Sequence, residues 1–229
     1  MGLKEPGLRG SLRNVSVGID AIPDPWPESY LQDDWGDNKL QDRDGSDTTT
    51  YNGVEGVYRP EWTLDEGSPE VADERLTLDG DGEAVVTEIN LNLDESITWE
   101  FSNVSLNTDG ALALQLFSED DTFFDLDTTA PRMDDGYMVE FSMSNDRIRL
   151  TKNSGGGTDA MIESGVSPSA EEEFDIIVTR SSDGEFELIV DGDSKGTDTD
   201  TDFIDPSHTG FGTSTDGTDL GGLGSFSVS

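Results

Sequence analysis

The stretch Phe174-Asp175-Ile176-Ile177-Val178-Thr179-Arg180-Ser181-Ser182-Asp183-Gly184-Glu185-Phe186-Glu187-Leu188-Ile189-Val190-Asp191-Gly192 reads as two strands and a turn. Phe174, Ile176 and Val178 recur at every second position, and Phe186, Leu188 and Val190 do the same on the next run. A period of two places successive side chains on opposite faces, so each run keeps one face on a core. Ser181-Ser182-Asp183-Gly184 joins the runs, and Asp-Gly supplies the positive φ angles of a tight hairpin. The spacing predicts an antiparallel pair.

The same period extends outward on both sides. Ile97, Trp99 and Phe101 alternate with Thr98, Glu100 and Ser102, and Leu112, Leu114 and Leu116 with Ala111, Ala113 and Gln115. Tyr137, Val139, Phe141 and Met143 alternate with Met138, Glu140 and Ser142, and Ile148 and Leu150 with Arg147, Arg149 and Thr151. Asn145-Asp146 marks the turn between the last two runs. No stretch has helical periodicity beyond a turn at Ser169-Ala170-Glu171-Glu172. Antiparallel strands without covering helices pack sheet on sheet, which predicts an all-β antiparallel sandwich.

Ahead of this region the chain changes character. Residues 28–79 are rich in Asp, Gly and Thr, and predict long loops with one or two short strands, best at Trp62-Thr63-Leu64 and Arg75-Leu76-Thr77-Leu78. Residues 1–27 end in Ile22-Pro23-Asp24-Pro25-Trp26-Pro27, whose prolines favour an extended, semi-rigid linker. Between Gly2 and Gly18 the basic Lys4, Arg9 and Arg13 face one acid, Glu5, for a local charge near +2. The division expected is an N-terminal docking arm and linker over 1–27 and a β-sandwich over 28–229. Leu3, Lys4, Leu8, Arg9, Leu12, Arg13 and Val15 are the arm's candidate assembly contacts.

Charge sets the environment. The chain holds 51 Asp plus Glu against 13 Lys plus Arg, a formal net charge of -38 over 229 residues. At low ionic strength such a body repels itself. In molar salt the Debye length falls to about 3 Å and the repulsion is largely screened. The surface suits a halophile. Disorder is the competing reading of high charge, but 4 Trp, 10 Phe and 4 Tyr are enough to anchor a core. There is no cysteine, hence no disulfide, thiolate metal site or cysteine nucleophile. No apolar run reaches the roughly 20 residues of a membrane span, so no membrane insertion is expected. A chain this acidic is repelled by phosphate backbones, so nucleic acid is not an expected partner. The Met1–Pro6 segment lacks the apolar run of a secretory signal, which predicts synthesis in the cytoplasm without export.

The pattern Ile176-Ile177-Val178-Thr179-Arg180, then Asp183-Gly184, then Glu187-Leu188-Ile189-Val190-Asp191-Gly192, with a terminal Gly224-Ser225-Phe226-Ser227-Val228 strand, resembles the concanavalin A-like, laminin-G-like jelly roll. The resemblance spans about Arg75 to Ser229. The opening Gly7-Leu8-Arg9-Gly10-Ser11-Leu12-Arg13-Asn14-Val15-Ser16 is similar to the start of lectin-like structural proteins of haloarchaeal tailed viruses. That resemblance implies a non-enzymatic virion surface protein, in a capsid turret or tail fibre. It would be a homo-oligomer, trimer or pentamer, joined to other virion proteins through its arm. A glycan-binding, lectin-like module for host attachment is the alternative, and a glycoside hydrolase-like enzyme a third.

The residues restrict catalysis. The one histidine, His208, lies in a Pro206-Ser207-His208-Thr209 turn and reads as a surface-loop residue rather than the base of a serine triad. Glu185-Phe186-Glu187 lacks the central acid of a Glu-x-Asp-x-Glu glycosidase strand. Gly155-Gly156-Gly157 lacks the Lys-Ser/Thr of a phosphate loop and reads as a hairpin turn. For binding, Trp35, Tyr51, Tyr58 and Trp62 are candidate glycan-stacking rings, with core anchoring the competing use. Asp120, Asp121, Asp125 and Asp127 are candidate ligands for calcium or magnesium, and Asp198, Asp200, Asp202 and Asp205 a second set, against the general acidity of the surface.

The charge argument makes a direct prediction. The thermal unfolding midpoint rises when NaCl is raised from about 0.1 M to about 3 M, because screening removes repulsion in the compact state first. An unchanged or falling midpoint contradicts it.

Overall fold

The computed structural model describes residues 31–33, 35, 48–51, 54–58, 62–66, 69–78, 82–89, 91–107, 110–119, 135–203, 205–213 and 221–229. The seven arm residues and Asp120, Asp121, Asp125 and Asp127 lie outside this set. The described residues contain strands and turns but no helix.

Segment 28–79 supplies β1 (Leu31–Asp33), β2 (Thr48–Tyr51), β3 (Val54–Tyr58), β4 (Thr63–Glu66), β5 (Glu70–Ala72) and β6 (Arg75–Leu78). The next group is β7 (Ala84–Glu88), β8 (Ile97–Leu106), β9 (Ala111–Ser118), β10 (Gly136–Ser142), β11 (Arg147–Ser154) and β12 (Gly157–Glu163). The chain closes with β13 (Phe174–Arg180), β14 (Glu185–Val190), β15 (Asp193–Thr199), β16 (His208–Thr213), β17 (Gly221–Leu223) and β18 (Ser225–Val228). Nine strands form one sheet in the order β15-β14-β13-β8-β17-β6-β5, with β18 also on β8 and β1 on β18. Seven form the other, β12-β11-β10-β9-β16-β7-β4, while β2 and β3 pair alone. Neighbouring strands run antiparallel throughout. The architecture is the all-β antiparallel sandwich that the period of two predicts.

The predicted turns form where their residues allow. The β13–β14 loop closes with the Ser181 N–H on the Glu185 carbonyl at 2.8 Å, and Gly184 sits at φ 81°. A methyl group at Gly184 would meet the Asp200 carbonyl oxygen at 2.7 Å, so only glycine fits the turn. Asp191-Gly192, at φ 52° and 79°, and Gly155-Gly156, at 54° and 80°, make two-residue turns of the primed type.

Two expectations need correction. Segment 28–79 holds six strands, not one or two, and four of them extend the main sheets. Their shortness and turn-rich surroundings hid them, because pairing with distant strands rather than local propensity holds them. The strands β9 and β10 are buried on both faces, not half-buried. Behind the main core, Ala84, Val86, Ala113 and Met138 form a second, small apolar cluster on the far face of the seven-stranded sheet.

The core is a band of aromatic side chains between the sheets. Trp35, Trp62, Phe211 and Phe226 follow one another at centroid separations of 5.6, 5.1 and 5.2 Å. Phe117, Tyr137 and Phe186 continue it at 5.2 and 4.7 Å. Such tilted and edge-on pairs add to the burial of large apolar areas. The first chain of rings rests on a buried carboxylate. Asp33 accepts the Trp35 backbone N–H at 3.0 Å and the Trp62 indole N–H at 2.7 Å. Trp35 sits at φ 54°, a conformation costing a bulky residue on the order of 1–3 kcal/mol. The Asp33 bond and the ring's full burial hold it there.

Asp33→Ala leaves two buried donors without their acceptor. Chemical denaturation is expected to show a loss of about 3 kcal/mol, and a loss within about 0.5 kcal/mol of zero contradicts the role given to Asp33.

Candidate functional site

The face of the seven-stranded sheet that points away from the main core is built by register. One row across it runs Ala84, Gly212, Ala113, Glu140, Arg149 and Glu163. The next runs Val86, Gly210, Gln115, Met138, Thr151 and Ala160, and the third Glu88, His208, Ser118, Gly136, Asn153 and Thr158. Small residues and glycines make the β7 side flat and buried. Polar side chains gather toward β11 and β12, where the face opens to solvent.

At that open side, Glu140 is fully buried and lies between two arginines. Arg147 donates from Nε and Nη2 to Glu140 Oε1 at 3.0 and 2.7 Å. Arg149 donates from Nε to Oε2 at 2.7 Å and brings Nη2 within 2.6 Å of it. Each guanidinium thus uses one edge on one carboxylate oxygen, the strong charge-assisted geometry. Arg149 also points Nη1 at Glu163 Oε1, 3.5 Å away. The Arg147 side chain is 31% exposed and that of Glu140 only 1%. The hairpin turn beside them adds hydroxyls and an amide: Ser142 Oγ accepts from Asn145 Nδ2 at 3.0 Å and lies 3.2 Å from Ser144 Oγ. Further along the face, Thr158 donates to Asn153 Oδ1 at 2.7 Å, and Gln115 bonds Ser118 through Nε2 while its Oε1 has no partner among the described residues.

The sequence-predicted site residues are distributed differently. Trp35 and Trp62 are wholly buried core residues and present no ring to a saccharide. Tyr51 and Tyr58 lie on the separate β2–β3 hairpin, pairing with Val54 and Thr48. His208 is not a loop residue but opens β16, with Nδ1 2.8 Å from Ser207 Oγ. Glu185 and Glu187 flank the buried Phe186 on the outer side of the nine-stranded sheet and form no cleft pair. The sequence reading missed the Glu140–arginine group. Its signal was present: counting back from the Asn145-Asp146 turn pairs residue 140 with 149 and 142 with 147.

The second aspartate set is not a cation cage. Asp200 accepts from Lys152 at 2.6 Å and from the Tyr137 hydroxyl, and Asp202 also bonds Lys152. The ammonium, 5.8 Å from the Phe203 ring centre, already pairs with both of these carboxylates. Among the described residues no group of three or more acidic or histidine side chains is placed to hold a metal ion.

Electrostatics make this cluster a pH-dependent tie between β10, β11 and the chain after β15. Burial pushes the Asp200 carboxyl up, but hydrogen bonds from Lys152 and Tyr137 outweigh it and hold the group below the usual aspartate value. Bonds to Asp200 and then Asp202 hold the Lys152 ammonium above its ordinary value. Burial, then the Asp200 bond, pushes the Tyr137 phenol well up. A lowered carboxyl stabilises the fold above its unfolded pKa of about 3.9, and this is lost as pH falls through the folded value. A raised ammonium stabilises below about 10.4, and this is lost as pH climbs through its folded value. The stability difference between the wild type and Lys152→Met is therefore widest from about pH 5 to 9 and narrows at both ends. A difference that stays constant from acid to alkali contradicts the assignment.

No protein-family model matches the chain, and no curated protein matches it by sequence. Solved structures do match by shape. The carbohydrate-binding module CBM66 from Bacillus subtilis superposes with a TM-score of 0.53 at 16% identity, covering 72% of this chain and 91% of that one. The Emp47p carbohydrate recognition domain gives 0.60 at 12% identity, covering 88% and 94%. The VIP36 exoplasmic/lumenal domain, in its Ca2+/Man3GlcNAc-bound form, gives 0.56 at 14% identity, covering 73% and 83%. At these identities the likeness establishes fold. The chain has the lectin-like jelly-roll β-sandwich fold.

Proposed function

We propose that this protein is a carbohydrate-binding, lectin-like module, and that its contact surface is the open corner of the seven-stranded sheet around Arg147, Glu140 and Arg149. The observation that carries the reading is the buried Glu140 fixed between two guanidiniums, of which Arg147 is the more exposed. Saccharides are bound by planar, multi-donor side chains held in place before the ligand arrives, because ordering them on binding costs affinity. Glu140 supplies that order. Arg147 and the Ser144 and Asn145 turn supply the donors and acceptors that meet sugar hydroxyls. The fold shared with carbohydrate-binding domains supports the reading without placing the site.

The setting is a second part of the proposal. The contrast between the basic segment 2–18 and the acidic remainder supports an arm that docks on a neighbouring acidic subunit, as in a homo-oligomer on a virion surface of a halophile's virus. A calcium or magnesium ion at Asp120, Asp121, Asp125 and Asp127 is supported by the Ca2+-bound form of VIP36 and the potassium-bound form of Emp46p.

Two experiments test these parts. Titration of the full chain against a panel of oligosaccharides in about 2 M salt, where repulsion is screened, is expected to give saturable binding to at least one of them. Arg147→Ala should weaken that binding at least about tenfold, or 1.4 kcal/mol, with an unchanged circular dichroism spectrum. A panel without binding overturns the module. For the arm, the expected masses in the same salt are a closed oligomer for the full chain and a folded monomer without residues 1–27. Two monomers overturn it.

A further inference from the structure

Basic side chains are scarce in this protein, 13 among 229 residues, yet two of them converge on one carboxylate at the proposed contact surface. Their donor inventory is uneven. A guanidinium has five N–H donors, and both arginines turn the Nε–Nη2 edge to Glu140. Arg149 directs its remaining end at Glu163. The Nη1 end of Arg147 has no hydrogen-bond partner among the described residues, and Arg147 is the more exposed of the two. Charge follows the same pattern. Glu140 and Glu163 offset two positive charges between them, but the Glu163 contact is long and its side chain is 55% exposed. Asp146, exposed at the tip of the same hairpin turn, is the nearest further acid along the chain. The corner therefore holds a fixed guanidinium whose planar end is unused, while Glu140, Glu163 and Asp146 offset the charge of its two arginines.

We infer that the saccharide this corner selects is an anionic one, a sugar bearing a carboxylate such as a uronic acid, with the Arg147 Nη1–Nη2 end as the residue group that reads the charge. The inference rests on the carbohydrate-binding reading above. A carboxylate matches the planar guanidinium in shape and charge, which a lysine ammonium would not. The net charge of -38 would repel such a ligand in dilute buffer. In molar salt that repulsion dies out within about 3 Å, whereas a direct guanidinium–carboxylate contact lies inside this distance and survives. A halophilic surface and an anionic ligand are compatible only under those conditions. Arg147 is suited to the task because Glu140 keeps Arg149 as a partner when Arg147 is replaced.

The test uses the full chain in about 2 M salt and a set of uronic-acid oligosaccharides, each paired with its methyl ester, so that ring and linkage stay constant and charge alone changes. The expected result is that the acids bind at least about tenfold tighter than the esters. Arg147→Gln should abolish that preference, weakening the acids at least about tenfold more than the esters, and Arg147→Lys, which keeps the charge but loses the planar end, should restore part of it. Unfolding midpoints of both variants report whether the fold survives, and the Lys variant keeps the test valid if the Gln variant does not fold. Equal or tighter binding of the esters, or of neutral saccharides alone, overturns the selection for charge and leaves the carbohydrate module standing. A preference for acids that both variants retain overturns the role of Arg147. Absence of binding to acids, esters and neutral saccharides alike overturns both readings.

Discussion

The sandwich depends on one strand serving three partners. Along one edge, Ile97–Val104 of β8 pairs with β13; along the other, Trp99–Ser102 pairs with β18 and Ser105–Leu106 with β17. The changeover is built at Asn103, which takes φ 53° while three β8 residues span the distance that two cover on β13. Such a bulge bends the strand and lets two others share its edge. Its backbone N–H is satisfied by Asp175 Oδ1 at 3.1 Å, and Gly224, between β17 and β18, passes so close that a methyl group there would lie 2.8 Å from Asn103 Nδ2. From this junction β18 carries β1 on one side and β17 carries β6 and β5 on the other.

The junction also explains why the core is aromatic. With no helix among the described residues to cover either sheet, their inner-face burial comes from one sheet meeting the other about 10 Å away. Large rings span that gap. Phe101 and Phe226 from the nine-stranded sheet meet Phe211 from the seven-stranded one at 6.2 and 5.2 Å. Trp99 adds a polar tether, its indole N–H on the Leu116 carbonyl across the gap at 3.0 Å. The first strand joins this core through Asp33, which bonds the two buried tryptophans Trp35 and Trp62. The proposed contact surface lies on the outer face of the opposite sheet, whose polar corner is positioned by the same strands that deliver Val139, Phe141, Ile148 and Leu150 to the core.

The division between what the sequence discloses and what it hides follows from range. The strands β8 to β11, β13 and β14 are legible because alternation is a local signal, and Asp183-Gly184 and Asn145-Asp146 mark turns between them. The choice between stacking and core use of Trp35 and Trp62 is not legible, because their burial depends on Phe211 and Phe226, about 150 to 190 residues away in the chain, and on a left-handed backbone at Trp35 that no local pattern announces. The Asp198–Asp205 set looked like a cation site because the sequence cannot show that Lys152 reaches it. The Glu140 corner was half legible: alternation put residues 140, 147 and 149 on one face, but only the structure shows both guanidiniums turned onto one carboxylate.

The most direct test of the account is the crystal structure of the protein grown from molar salt and soaked with a saccharide that binds it in solution. The account predicts sugar density at the β10–β11 corner, within hydrogen-bonding distance of Arg147 and the Ser144–Asn145 turn, with Glu140 unmoved between its two arginines. Density confined to the nine-stranded sheet or to the β2–β3 hairpin, with the Arg147 corner empty, would contradict it.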